Sequence, residues 1–251
     1  MTLLETTGLT KQFGSLTAVD GVDFRLDEGG IASIIGPNGA GKTTFFNLIT
    51  GEYEVSAGSI AFKGEDVTDD PPHERINRGM GRVFQISNLF PELSTFENVR
   101  LAVQSHDQES RNSPLAKAND NQAVVDTAHD ILEDLDLHHK REMIAESLPY
   151  GDKRRLEIGM AVALDPDLLL MDEPTAGLPE EELHEVMDFI EEIAADRTIL
   201  LVEHKMDVVM GLSDRISVLH EGALIAEGTA DEIRNDETVQ QVYLGEEGQY
   251  A

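Results

Sequence analysis

The chain of 251 residues contains no cysteine, which excludes disulfides and thiolate metal sites. It has no apolar run of the roughly eighteen residues that a membrane-spanning helix needs, so no such span is expected. The opening Met1-Thr-Leu-Leu-Glu5 lacks the basic flank and apolar stretch of a secretory signal, and none is expected there. Basic residues are scarce: 19 Lys and Arg stand against 49 Asp and Glu, for a formal net charge of −30. A field of that sign repels nucleic-acid phosphates, and no local basic patch offsets it, so a nucleic-acid partner is not expected. Internal repeats and low-complexity tracts are also lacking. What remains is a chain 40% hydrophobic, sufficient for a sizeable core in one large domain or a domain with an insertion.

Residues 3–26 alternate apolar and polar positions, as in Leu16, Ala18, Val22, Phe24 and Leu26, which predicts short half-buried strands. Ile31-Ala-Ser-Ile-Ile35 predicts a buried strand stopped by the turn Gly36-Pro37. A helical pattern follows Gly41 through Phe45, Phe46, Leu48 and Ile49 and closes at Gly51. Residues 58–68 read as further strand. From about 86 to 162 the texture turns helical, with Val124, Val125, Ala128, Ile131, Leu132 and Leu135 at helical spacing, and this stretch is read as an inserted subdomain. Leu168–Met171 and Thr198–Val202 predict two more buried strands around an amphipathic helix that carries Leu183, Val186, Met187, Ile190 and Ile193. Strands alternating with helices imply right-handed crossovers and a largely parallel sheet, an α/β fold.

Gly36-Pro-Asn-Gly-Ala-Gly-Lys-Thr43 matches G-x-x-x-x-G-K-T between a predicted strand and a predicted helix, the setting that gives this pattern its meaning. Its glycines let main-chain N–H groups, from Gly36 through Asn38, Gly39, Ala40 and Gly41 to Thr44, converge on an anion at a positive helix end. Lys42 is then placed for the β- and γ-phosphates and Thr43 for Mg²⁺. Leu168-Leu-Leu-Met-Asp-Glu173 puts two acids where a buried strand leaves the sheet. Asp172 suits the magnesium shell, and Glu173 is a candidate general base for water. Asp172 lies far downstream of Lys42 across a helical insertion, and no Asn-Lys-x-Asp guanine reader is present, so adenine is the expected base.

At this point the chain resembles the ATP-binding subunit of an ABC transporter from about residue 3 to residue 246. The resemblance implies a P-loop NTPase (RecA-like) core with an antiparallel β subdomain, from residues 1–85 and 163–228. It also implies a helical subdomain at 86–162 and a C-terminal helical tail at 229–251. Lys11-Gln-Phe-Gly-Ser-Leu-Thr-Ala-Val19 looks like the adenine-contacting segment, so Phe13 is expected to stack on the base with Val19 beside it. Val83-Phe-Gln85 looks like the glutamine loop, in which Gln85 would sense Mg²⁺ and the water. Leu148-Pro-Tyr-Gly-Asp-Lys-Arg-Arg155 looks like the signature segment, Ala176-Gly-Leu-Pro179 like the dimer-contact loop, and Val202-Glu-His204 like the switch histidine. The other histidines, such as His138 and His139, read as surface residues.

Two departures stand out. Pro149 replaces the signature serine, leaving Gly151 to offer one N–H, and Pro179 replaces the dimer-contact aspartate. Both weaken what the chain offers across a dimer, which implies a second, non-identical ATPase subunit. Asn47-Leu-Ile-Thr-Gly51, Phe90-Pro-Glu-Leu-Ser94, Arg154-Arg-Leu-Glu-Ile158, Val209–Ile216 and Val242-Tyr-Leu-Gly245 resemble the first ATPase subunit of branched-chain amino-acid importers, with urea and short-amide importers close behind. Such an assembly implies permease subunits, an indirect solute-binding protein, and a place at the cytoplasmic face of the membrane. A soluble ABC-type ATPase acting on nucleic acid or ribosomes is the rival from another class, and the single ATPase set and the acidic charge oppose it. Acid enrichment with few lysines also resembles proteins of extreme halophiles, in which concentrated salt screens self-repulsion.

Overall fold

The computed structural model describes residues 1–83, 89–106 and 122–247. Strands β1 (Thr2–Phe13) and β2 (Leu16–Asp27) form an antiparallel hairpin in which Leu4, Val22, Phe24 and Leu26 turn inward. Each is 12 residues long rather than short, because register shifts along the pair let both strands bend without ending. The 58–68 region supplies β4 (Ala57–Phe62) and β5 (Glu65–Asp66), completing a four-stranded antiparallel sheet in the order β2-β1-β4-β5.

The second sheet joins β3 (Gly30–Ile35), β6 (Met80–Val83), β7 (Leu168–Asp172), β8 (Thr198–Val202), β9 (Arg215–His220) and β10 (Ala223–Gly228). Its order is β10-β9-β3-β8-β7-β6, parallel except at the β9–β10 edge. Every residue of β7 and β8 is buried, as expected of strands covered on both faces. Leu168, Leu170, Leu200 and Val202 face one core with the antiparallel sheet and α1 (Lys42–Ile49). Leu169, Met171, Ile199 and Leu201 face a second core with α3 (Thr95–His106), α4 (Gln122–Asp134), α5 (Tyr150–Val162) and α6 (Glu180–Ala194). Each of these leucines contributes about 1.5–3 kcal/mol by leaving water. These four helices therefore share one continuous core with the sheet.

A third cluster, with Ile35, Val209, Ile216, Val218, Ile233 and Val239, seats α7 (Met206–Leu212), α8 (Ala230–Asn235) and α9 (Glu237–Glu247). The short helix α2 (Pro72–Asn77) carries a fully buried cation, Arg75. Its guanidinium donates to the carbonyls of Leu48 and Ile49 at the end of α1, and to those of Thr68 and Asp70. Positive charge at a helix C-terminus is favourable, and burial pulls the Arg75 pKa down while Asp70 and Asp69 oppose that shift. His138 is not a free surface residue: its Nε2 lies 3.2 Å from His129 Nδ1, and Phe96 stacks on the His129 ring. Among the described residues no helix is long and apolar enough to cross a membrane.

Candidate nucleotide site

The parallel strands deliver their carboxyl ends to one edge of the sheet, where β3 runs into the glycine-rich loop and β7 and β8 end beside each other. The loop needs its glycines for two separate reasons. At Gly36 a Cβ would lie 2.1 Å from the Leu219 carbonyl oxygen. At Gly41 the backbone is left-handed (φ 104°) and a Cβ would lie 2.3 Å from the Ala18 oxygen. Gly41 is also the N-cap of α1, with no side chain capping that helix start and no acid in its first turn. The first N–H groups of the helix are thus left to a ligand anion. Lys42 is buried and donates back to the carbonyls of Gly36 (2.6 Å) and Pro37 (2.9 Å), which holds the loop closed around its own cation. Asn38, Gly39 and Thr43 are exposed, Thr44 is half-buried and Ala40 is buried beneath the loop.

Asp172 ends β7 only 4% exposed, opposite Val202 of β8. Burial pushes its carboxyl pKa up, the neighbouring Arg82 pulls it down, and the adjacent Glu173 adds to the rise. Arg82 Nη2 lies 3.6 Å from Asp172 Oδ2, while its Nη1 donates to Asn47 Oδ1 of α1 and to Oγ1 of Thr50, which caps that helix's end. Glu173 adopts a left-handed backbone (φ 49°), its N–H donating to the Val202 carbonyl at 2.8 Å. That geometry turns its carboxylate across the strand ends, so that Oε1 lies 2.6 Å from Nε2 of His204, the second residue past β8.

The remaining expected residues divide. Phe13 is 43% exposed at the end of β1, edge-on to Tyr53 with ring centroids 5.4 Å apart, and the Lys11 ammonium lies near both rings. An open aromatic face of this kind can take a planar base. Val19 is 0% exposed and belongs to the core with Ala40 and Phe45, so it presents no surface to a docking base. Gly151 does not present a free N–H: it donates to Glu182 Oε2 at 2.7 Å. Gln85 lies outside the described residues. Pro149 and Pro179 prove to be the N-caps of α5 and α6, without side-chain capping bonds.

Several buried charged residues escaped the sequence reading. Glu203 accepts from the Thr175 N–H and hydroxyl and from the His204 N–H, bracing the turn after β7. Its position at a buried strand end was the available signal, but His204 beside it drew the functional assignment. Arg82 lies just before the glutamine-loop segment, and Arg154 lies in segments matched by resemblance, where neither carries an assigned role. The buried Asp152 carboxylate pairs with the partly exposed Lys140 and Arg155, so it serves the packing of α5 rather than facing outward.

Comparison with known proteins fits this geometry. The sequence profile described as ABC transporter matches residues 19–176, more than half of the chain. The chain belongs to the ABC transporter family. A second profile, described as branched-chain amino acid ATP-binding cassette transporter, matches residues 223–249. Among curated ABC proteins, the chain is 38% identical to the high-affinity branched-chain amino acid transport ATP-binding protein BraF of Pseudomonas aeruginosa, covering 97% of this chain and 98% of that one. It is 40% identical to LivG of Salmonella typhimurium over 97% and 98% of the two chains. A probable LivG of Archaeoglobus fulgidus is 36% identical over 98% and 96%. Among solved structures, a nucleotide-free ATP-binding cassette from an ABC transporter superposes with TM-score 0.85 at 32% identity, covering 97% and 99%. The ADP conformation of an ATP-binding cassette gives 0.86 at 31% identity, covering 98% and 99%. The α/β phosphate-loop class expected from the sequence is therefore the ABC cassette fold, and this chain is an ATP-binding ABC subunit.

Proposed function

We propose that this ABC subunit is the ATP-hydrolysing motor of an importer for branched-chain amino acids. The observation that carries the chemistry is the Glu173–His204 pair at the edge where the phosphate loop leaves β3. The full-length likeness to BraF and LivG supports the substrate class. ATP would lie with its phosphates over residues 36–44 and its base against Phe13. On phosphate binding, Lys42 exchanges loop carbonyls for β- and γ-phosphate oxygens. Glu173 takes the proton of the water that attacks the γ-phosphorus as the bond to the bridging oxygen breaks, and His204 holds Glu173 and the γ-phosphate in place.

The residues present fit Mg²⁺. Asp172 is a buried carboxylate that burial alone disfavours as an anion, so a cation suits it. Among the described residues no group of three or more His, Asp or Glu forms a dedicated metal cage, and Mg²⁺ prefers one or two carboxylates plus phosphate oxygens and water. Thr43 and Asp172, together with Gln85, would hold the ion, which supplies charge neutralisation at the phosphates.

For partners, an apolar groove of about 440 Å³ between β6, α3 and α5, with Val83, Phe90, Leu101, Ala102, Met160 and Leu164 in its walls, would seat a permease loop. That contact would hold the subunit at the cytoplasmic face of the membrane. Because Pro149 and Pro179 offer a partner less than serine and aspartate would, the second ATPase is a different chain. Reconstitution with candidate permeases and a solute-binding protein, followed by ATP-driven uptake of labelled leucine or urea, tests the reading. Leucine uptake is the expected result; uptake of urea alone would replace the substrate. Co-purification that yields only a homodimer would overturn the mixed pair.

A further inference from the structure

We propose that Arg154 is a positioning residue for hydrolysis, through which the helix that serves the partner's nucleotide site fixes the geometry of this chain's own base. The inference rests on the reading of Glu173 as that base.

Arg154 sits in the first turns of α5, within the signature-like segment, and is 6% exposed. A buried guanidinium must have its donors satisfied. Here they converge on the turn after β7: Nε donates to the Pro174 carbonyl at 2.7 Å, and Nη2 to those of Glu173 (3.1 Å) and Asp172 (3.3 Å). Nη1 bonds Glu157 Oε2 at 2.8 Å within α5, which fixes the side chain's direction. One rigid planar fork thus collects three successive carbonyls, including those of both acids of the site.

Those carbonyls belong to a strained turn. Glu173 is left-handed at φ 49°, a conformation that persists only where the surroundings impose it. Glu203 imposes it from one side, through Thr175, and Arg154 from the other. Between them the turn aims the Glu173 carboxylate at His204.

The same flank of α5 makes two further bonds, one to this segment and one to α6. The Tyr150 hydroxyl donates to the Ala176 carbonyl at 3.0 Å, and the Gly151 N–H donates to Glu182. Helix α5 cannot shift against β7 without breaking the Tyr150 and Arg154 bonds, of which only those of Arg154 reach the acids themselves. A shift of α5 on closing over the partner's nucleotide would therefore re-aim Glu173, while residues 36–44, which grip the phosphates, stay where they are.

A purely structural arginine would lower folding stability and ATP binding together. A positioning residue splits them. In the reconstituted complex, Arg154→Gln is expected to lower kcat about 10- to 100-fold, the scale of small misplacements at a reacting group. ATP affinity, read by titration with a fluorescent ATP analogue, is expected to stay unchanged. Added to Glu173→Gln, the same substitution should cost nothing further, because its effect passes through the carboxylate already removed. Arg154→Lys keeps the charge but cannot fork to three carbonyls; it should give an intermediate rate, and it carries the same cycle if Arg154→Gln does not fold. Equal loss of affinity and rate, or an undiminished cost in the Glu173→Gln background, would overturn the proposal. A silent Arg154→Gln beside an impaired Glu173→Gln would also overturn it, with the base assignment left standing. A silent Glu173→Gln would remove the base assignment and this proposal together.

Discussion

His204 Nε2 lies 2.6 Å from Glu173 Oε1, although the two residues follow different strands. The pairing of β7 with β8 in parallel sets Asp172 opposite Val202, so the residues just beyond each strand end side by side. A base held by a neighbouring imidazole loses function in a defined way. Glu173→Gln is expected to retain ATP and lose at least about tenfold in turnover. His204→Ala should lower turnover too, and the double variant should fall short of the product of the two, since both act on one water. Steady-state ATPase assays with the reconstituted complex measure all three, and unchanged turnover in Glu173→Gln would remove that residue from the mechanism.

Asp172 should weaken the nucleotide-free protein at neutral pH. Burial raises its folded pKa above the ordinary 3.8, and the opposing pull of Arg82 does not cancel the rise. Above the folded value the carboxylate must be ionised inside the protein, and folding bears that cost. As pH falls through the folded value and below 3.8, both states carry the proton and the cost vanishes. Asp172→Asn is therefore expected to raise the melting temperature of the nucleotide-free chain at pH 7, an advantage that shrinks with acidification. The same variant should lose Mg²⁺-dependent turnover. Calorimetry across pH reads the first effect, and a melting temperature lowered at pH 7 would contradict it.

Gly41→Ala should cost roughly 2 kcal/mol or more of folding stability, because a left-handed backbone and a carbonyl clash act together. Gly39→Ala is the control: it is left-handed (φ 82°) with nothing within 4 Å of the added carbon, and should cost about 1 kcal/mol. Urea unfolding of both variants orders them, and equal losses would mean that the Ala18 carbonyl gives way.

A formal charge of −30 in 251 residues makes folding stability depend on ionic strength. Screening shortens from about 10 Å at 0.1 M salt to about 3 Å at 1 M. The melting temperature should climb with KCl over this range, and should climb less in a variant with several exposed acids neutralised.

The phosphate loop, the buried strands and the acids at the end of β7 were legible because each is a local pattern, an apolar run or a glycine spacing closed within a few residues. Phe13 and His204 needed the order of segments along the whole chain. Arg154, Glu203 and Arg82 were not legible, because their roles depend on which element lies against them, and hydropathy periodicity carries no such information. Arg154 shows this best: in sequence it is one of two adjacent arginines, and only the packing of α5 on β7 separates it from Arg155. The same gap explains Gly151, whose N–H looked available until Glu182 of α6 was seen to take it.

The Arg75 guanidinium joins residues from two places in the chain, the end of α1 and the 68–70 loop, inside a buried pocket. Neither place can open without exposing carbonyls that this one cation serves. Amide protons in α1 and in the 57–78 stretch are therefore expected to exchange with solvent as a single cooperative unit, with one common opening energy, and to part company in Arg75→Met.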